Sequence, residues 1–105
     1  MLSVAGLHKI AIISLHEKAA QAAAILLRER TQADVFVVAE LAAGPGTKNA
    51  RTADVVLLVW AATKHAVYRA FDDMRDKIAY VQGTGAGSIV LALERWVASS
   101  RATVV

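Results

Sequence analysis

Four short runs of apolar residues recur along the chain, and more polar stretches separate them. The runs are nearly continuous and rich in β-branched side chains, a pattern typical of strands buried on both faces of a parallel sheet. They cover residues 9–14, 34–40, 53–61 and 77–82. We therefore predict four strands, with the third, which is the most apolar, at the centre of the sheet.

Helical periodicity follows the first, third and fourth predicted strands. Residues 18–30 consist mainly of strong helix formers, and residues 66–74 repeat apolar positions at helical spacing. Each predicted helix is preceded by a candidate N-cap residue. These are Ser14 or His16 for the first helix, Thr63 for the second and Ser88 for the third. Between the second and third strands, residues 41–52 contain Gly44-Pro45-Gly46. We expect a loop there with at most one helical turn, because this tripeptide cannot lie inside a helix or a central strand.

The alternation of strands and helices predicts an α/β fold with a parallel sheet. Right-handed crossovers make 2-1-3-4 the simplest strand order, that of a small Rossmann-like or flavodoxin-like three-layer domain. At this length residues 1–105 form a single domain, and residues 1–8 and 102–105 are expected to be loose termini. Sheets of this kind bind ligands at the carboxyl ends of the strands, where the strand order reverses.

Two turns are predicted to lie at that reversal, residues 14–17 and residues 62–65, and a third turn, residues 82–88, is predicted beside the second of them. This third turn is rich in glycine and precedes a helix, so its backbone amides can approach an anion. It matches neither a Walker loop nor a dinucleotide fingerprint, and its glycines have the alternative role of permitting positive φ. The candidate ligand-binding residues at these turns and at the end of the first strand are Ser14, Thr63, Lys64, His65, Gly83, Thr84, Gly85 and Ser88.

Two histidines are candidates for acid–base chemistry. His65 and His16 lie near predicted helix starts, and for His65 the alternative is a surface histidine without a catalytic role. His16, Glu17 and His65 lack the spacing of a helical metal site, so we predict no metal. Trp60 is expected in the core, with a stacking platform beside the site as the alternative.

Composition limits the function further. Cysteine is absent, which excludes disulfides and thiolate chemistry and fits a cytoplasmic protein. The net charge of +3 is scattered, so we do not expect a nucleic-acid partner. No apolar run is long enough for a membrane span. Apolar residues make up 56% of the chain, a surplus that favours a homo-oligomer.

The region 53–97 resembles domain of unknown function family 2325. The resemblance is carried by Ala53-Asp54-Val55-Val56, by Thr63-Lys64-His65-Ala66-Val67-Tyr68, and by the glycine turn with Leu91-Ala92-Leu93 in the helix after it. It implies a small bacterial α/β domain and brings no established activity.

These observations together predict a regulatory domain that binds a small anionic ligand, a nucleotide or phosphate, and that has no resident cofactor. Backbone amides would hold the anion and Lys64 would neutralise it. The alternatives are a homo-oligomeric interaction module without a ligand, suggested by Val90 and Leu91 facing outward, and a small enzyme that uses His65 or His16.

Overall fold

The computed structural model describes residues 7–104, and its account of side chains ends at residue 99. It has a four-stranded, all-parallel sheet in the order β2-β1-β3-β4 with helices packed against it, which confirms the predicted fold class and strand order. The strands are shorter than the apolar runs: β1 Lys9–Ile13, β2 Asp34–Val38, β3 Val55–Val59 and β4 Ile78–Val81.

Four helices connect or follow these strands: α1 Glu17–Thr31, α2 Pro45–Ala50, α3 His65–Tyr68 and α4 Ala86–Val104. The sequence predicted a loose tail from Ala102, but α4 continues to Val104. Residues 1–6 and 105, which were also predicted to be loose, lie outside the described residues. Between residues 7 and 104, no helix combines the length and the apolar character that crossing a bilayer requires.

Alternate residues of each strand fill two separate apolar layers, as the two-residue period of a strand requires. One layer packs under α1 and α4 and includes Ile12 and Leu57. The other packs under α2 and α3 and includes Ile13, Leu58 and Phe71. All five residues of β3 are buried, so the sheet is covered on both faces at its centre.

The prediction of a loop at Gly44-Pro45-Gly46 was wrong, because Pro45 begins α2. Proline is well suited to the first helical position, where its missing N–H has no partner to lose. The Glu40 carboxylate then accepts hydrogen bonds from the backbone N–H groups of Gly44, Gly46 and Thr47, at 3.1, 3.0 and 2.8 Å, and from the Thr47 hydroxyl at 2.6 Å. The hydrogen bond from the Thr47 hydroxyl is the main reason that the pKa of Glu40 lies below the ordinary value for a glutamate, 4.5.

The long helix predicted for residues 66–74 was also wrong. α3 has only four residues, and a 3-10 turn, Arg69–Phe71, follows it directly where the prediction had the helix continuing. Asp72 and Asp73, at the end of this segment, would lie near the negative C-terminal end of a longer helix, which is unfavourable for a carboxylate. Asp73 instead forms a bidentate ion pair with Arg51, with N–O distances of 2.7 and 2.6 Å. The buried ring of Phe71 fixes the segment on the sheet.

Candidate functional site

The carboxyl ends of β1 and β3 are joined directly to each other. The Leu15 N–H donates to the Ala62 carbonyl at 2.7 Å. The Thr63 hydroxyl lies 2.7 Å from the Val59 carbonyl and 3.2 Å from that of Ile13. These contacts join residues 13–15 to residues 62–63 at the place where the strand order reverses, so the polar groups involved are already bonded within the protein.

The candidate residues of these turns consequently differ in what they offer a ligand. The prediction that Thr63 caps a helix was wrong, because Lys64 is the N-cap residue of α3 and no side chain forms a capping hydrogen bond there. The Thr63 hydroxyl is instead bonded to backbone carbonyl oxygens. Ser14 is buried, and its hydroxyl accepts the His16 N–H at 3.0 Å. The Lys64 side chain is exposed and can reach an anion in solvent.

An aromatic cluster stands beside this turn. Trp60, expected in the core, is instead 51% exposed. The Tyr68 ring covers one side of the indole at a centroid distance of 4.1 Å, and the Tyr80 ring meets it edge-on at 6.0 Å. The Tyr68 hydroxyl is hydrogen-bonded to Nδ1 of His65. The stacking alternative for Trp60 therefore fits its surroundings better than a core role.

An open pocket of about 420 Å³ lies against the uncovered part of the indole. It is lined by Trp60, Arg75, Tyr80 and Gln82. Arg75 has no ion-pair partner among residues 7–99. A guanidinium that lines the same pocket as two aromatic rings offers charge beside stacking surfaces, and the Gln82 amide adds both a donor and an acceptor.

Sequence reasoning missed Arg75, Tyr80 and Gln82. The available signal was Tyr80 itself, because a large aromatic ring in a strand expected at the edge of the sheet has one uncovered side.

The glycine-rich turn lies next to this pocket along the chain. Gly83 has φ +93°, and a Cβ placed there would lie 3.0 Å from the Ser88 hydroxyl. α4 begins at Ala86, and the Gly85 carbonyl accepts the Ile89 N–H at 3.3 Å. Ser88 therefore lies inside the first turn of the helix rather than at the predicted N-cap. No hydrogen bond within the described residues joins residues 83–88 to residues 63–65.

His16 lies elsewhere on the same edge. It borders a shallow groove with Glu17, Lys18 and Ala86, at the starts of α1 and α4. In the part of the chain that the structure describes, no three His, Asp or Glu side chains are grouped so that they could hold a metal ion.

Asp54 is a further residue whose role the sequence did not reveal. Its carboxylate accepts the backbone N–H groups of His8 at 2.7 Å and Lys9 at 3.0 Å. The hydrogen bond from His8 is the main cause that lowers the pKa of Asp54. The residue therefore ties the start of β1 to the start of β3, at the edge opposite the pocket.

Comparison with protein families corrects the resemblance to domain of unknown function family 2325. A family model described as DpdD-like matches residues 3–92, a range that includes all four strands. The earlier resemblance was wrong because it used short strand-and-turn segments, which recur in parallel α/β folds for reasons of chain geometry alone. There is no match among the curated proteins or among the solved structures. The match to the family model nevertheless covers most of the sequence, and this chain belongs to the DpdD-like family.

Proposed function

We propose that this domain binds a small anionic ligand with a flat ring, of the nucleotide class, at the carboxyl ends of β3 and β4. The observation that carries the proposal is the pocket in which Arg75 and Gln82 accompany the exposed rings of Trp60 and Tyr80. Trp60 and Gln82 follow β3 and β4, so the pocket reaches the carboxyl edge that parallel α/β sheets use for ligands, one strand away from the reversal between β1 and β3.

The ring of the ligand is proposed to stack on Trp60. Tyr68 occupies one side of the indole, which holds Trp60 in place and leaves the side facing the pocket for a ligand. A nucleobase stacked on an aromatic side chain gains about 1–3 kcal/mol. Gln82 can then form hydrogen bonds with polar atoms at the edge of the ring.

The anionic group is proposed to meet Arg75. A guanidinium recognises phosphate with two parallel hydrogen bonds. Lys64 and the amides of the glycine turn, which were the first candidates, lie on the two segments that flank the pocket along the chain. They extend the proposed site without forming its centre.

Binding without a reaction is the role we propose, in keeping with a regulatory domain. Nδ1 of His65 is engaged by the Tyr68 hydroxyl, and His16 borders a different groove. The absence of cysteine from the sequence fits a reducing compartment, so we place the protein in the cytoplasm as part of the same proposal.

Fluorescence of Trp60 provides a direct test. The chain has two tryptophans, so a Trp96→Phe background leaves Trp60 as the only indole. Titration with AMP should quench it saturably, whereas inorganic phosphate should bind more weakly because it has no ring. In the same background, Arg75→Gln should weaken AMP binding at least about tenfold, the effect of losing one charged hydrogen bond.

Arg69→Gln is the matched control, because Arg69 is also exposed and does not line the pocket. It should leave AMP binding unchanged. Absence of saturable quenching, or equal losses from the two arginine variants, would overturn the proposal.

A further inference from the structure

We propose that the free edge of β4, together with the groove beside it on α4, is where a second copy of this chain docks, with the two β4 strands antiparallel. The proposed interface concerns the edge of the sheet and α4. It shares Tyr80 and Gln82 with the nucleotide pocket, but it rests on the open edge of β4 and on α4, which the pocket does not include.

The β4 strand has an open side. Its register with β3 pairs Leu57 with Ala79 and Val59 with Val81. In a parallel ladder alternate residues direct their backbone groups to opposite sides. The hydrogen bonds between β1 and β2, followed across the sheet through the strand registers, leave Ile78 and Tyr80 with backbone groups that point away from β3. Their sequence neighbours Ala79 and Val81 are also uncharged, and the strand contains no proline. It therefore lacks the features that usually prevent an edge strand from pairing.

The other edge of the sheet is covered. Arg28 of α1 donates from Nε and Nη2 to the Val35 carbonyl of β2, at 3.1 and 2.6 Å. The ammonium group of Lys9 lies over the Phe36 ring in the same strand, 5.4 Å from its centroid. In residues 7–99 no side chain forms a comparable hydrogen bond with the backbone of residues 78–81. Of the two edges, β4 is the one prepared to pair.

A groove of about 300 Å³ runs between this edge and α4. Val90, predicted to face outward, is buried under the helix, whereas Leu91 is 44% exposed. Leu91 belongs to a stripe at helical spacing that lines the groove and has apolar members at its centre: Ser88, Leu91, Ala92, Arg95, Trp96 and Ser99. A second molecule that paired with β4 would cover this stripe as well.

The groove fits another copy of itself when the strands are antiparallel. Ser88 and Gln82 line the groove at the start of α4, whereas the Trp96 indole donates to the Asp76 carbonyl, just before β4. A two-fold axis through the middle of β4 therefore brings the apolar centres of the two stripes together. It also sets each Arg95 against the hydroxyl and amide oxygens of Ser88 and Gln82 in the other copy.

Charge is consistent with this arrangement. Among residues 7–99, Arg95 is the only charged residue that lines the groove, and the two-fold axis keeps the two guanidinium groups at opposite ends. Each guanidinium meets hydrogen-bond acceptors instead of a like charge. The contact is isologous and closes at two copies.

The experiment is size-exclusion chromatography with light scattering across a dilution series. The wild-type chain should be a dimer, and Leu91→Arg should be a monomer with an unchanged circular dichroism spectrum. Ile25→Arg is the matched control, because Ile25 is 55% exposed on α1, away from the groove, and this variant should stay dimeric.

A second variant acts on the strand itself. Tyr80→Pro removes an N–H group that points to the free side, a position where an edge strand tolerates proline, and it should also give a monomer. Hydrogen exchange should show protection of residues 78–81 in the wild-type chain that is lost in Leu91→Arg. A monomeric wild-type chain, a Leu91→Arg dimer, or exchange at residues 78–81 that is equal in both would overturn the proposal.

Discussion

Alanine substitutions at two glycines near the start of α4 should change stability in opposite directions. Gly83 has φ +93°, a region that costs a residue with a Cβ about 1–2 kcal/mol. The new methyl group would also lie 3.0 Å from the Ser88 hydroxyl, but that group ends a short side chain that can rotate. The backbone term therefore dominates, and we expect Gly83→Ala to lower the free energy of unfolding by about 1–2 kcal/mol.

Gly87 provides the comparison within the same segment. It lies in the first turn of α4, and a Cβ there would meet nothing within 4 Å. Replacing a helical glycine with alanine gains about 0.5–1 kcal/mol, because the unfolded chain loses conformational freedom. Gly87→Ala should therefore raise stability, and the two variants should differ by about 1.5–3 kcal/mol.

Urea unfolding followed by far-UV circular dichroism measures both variants against the wild-type chain. In a domain of this size each kcal/mol also moves Tm by roughly 4–8 °C, so a thermal scan provides a second reading. Equal shifts for the two variants, or a Gly83→Ala protein as stable as wild type, would refute the assignment of a left-handed conformation to Gly83.

Two further predictions concern polar contacts at opposite ends of the sheet. Thr63→Val keeps the shape of the side chain and removes the hydroxyl that reaches the Val59 and Ile13 carbonyls; it should cost about 0.5–1.5 kcal/mol in urea unfolding and leave AMP affinity unchanged. A loss of AMP affinity without a loss of stability would instead make Thr63 a ligand contact. The pKa of Asp54 is lowered by folding, so its contribution is present above its ordinary pKa of 3.8 and is lost as the pH falls through the folded value. Asp54→Asn should therefore be less stable than wild type near neutral pH and lose less stability on acidification, whereas parallel stability–pH curves would contradict the linkage.

The fold was predictable because its strands are marked by apolar runs that only a sheet covered on both faces can bury. Those runs, with the helices between them, also determined the order of the strands. The apolar runs are longer than the strands, because apolar residues continue past the strand ends. Trp60 follows an unbroken apolar segment, yet it lies beyond the last residue of β3, Val59, in a 3-10 turn. Its exposure depends on where the chain turns, which residue type alone does not specify.

The candidate site was predicted only at the level of the sheet edge. Arg75 reaches the pocket from an unexpected 3-10 turn, Arg75–Lys77, just before β4, and no local pattern signals that path. Tyr80 lies in β4, a predicted strand, and its ring was the signal that could have been used. Glu40 is the opposite case: its partners lie four to seven residues away, but Pro45 and the adjacent glycines were interpreted as helix breakers when they form a helix start. Ser14 directly follows β1, whereas Thr63 is separated from β3 by a 3-10 turn. Both hydroxyls are hydrogen-bonded to the protein's own backbone, which their positions in the sequence do not reveal.

The strand order has a consequence for the time course of folding. β1 lies between β2 and β3, and its pairing with β3 joins residues such as Ile10 and Val55, which are far apart in the chain. A long segment must be ordered before that contact can form, and domains with many such distant contacts fold slowly. During synthesis β1 and β2 can emerge together, but β1 must wait for β3 before its second side is covered. The most apolar strand of the protein is thus also the one whose arrival allows the sheet to close.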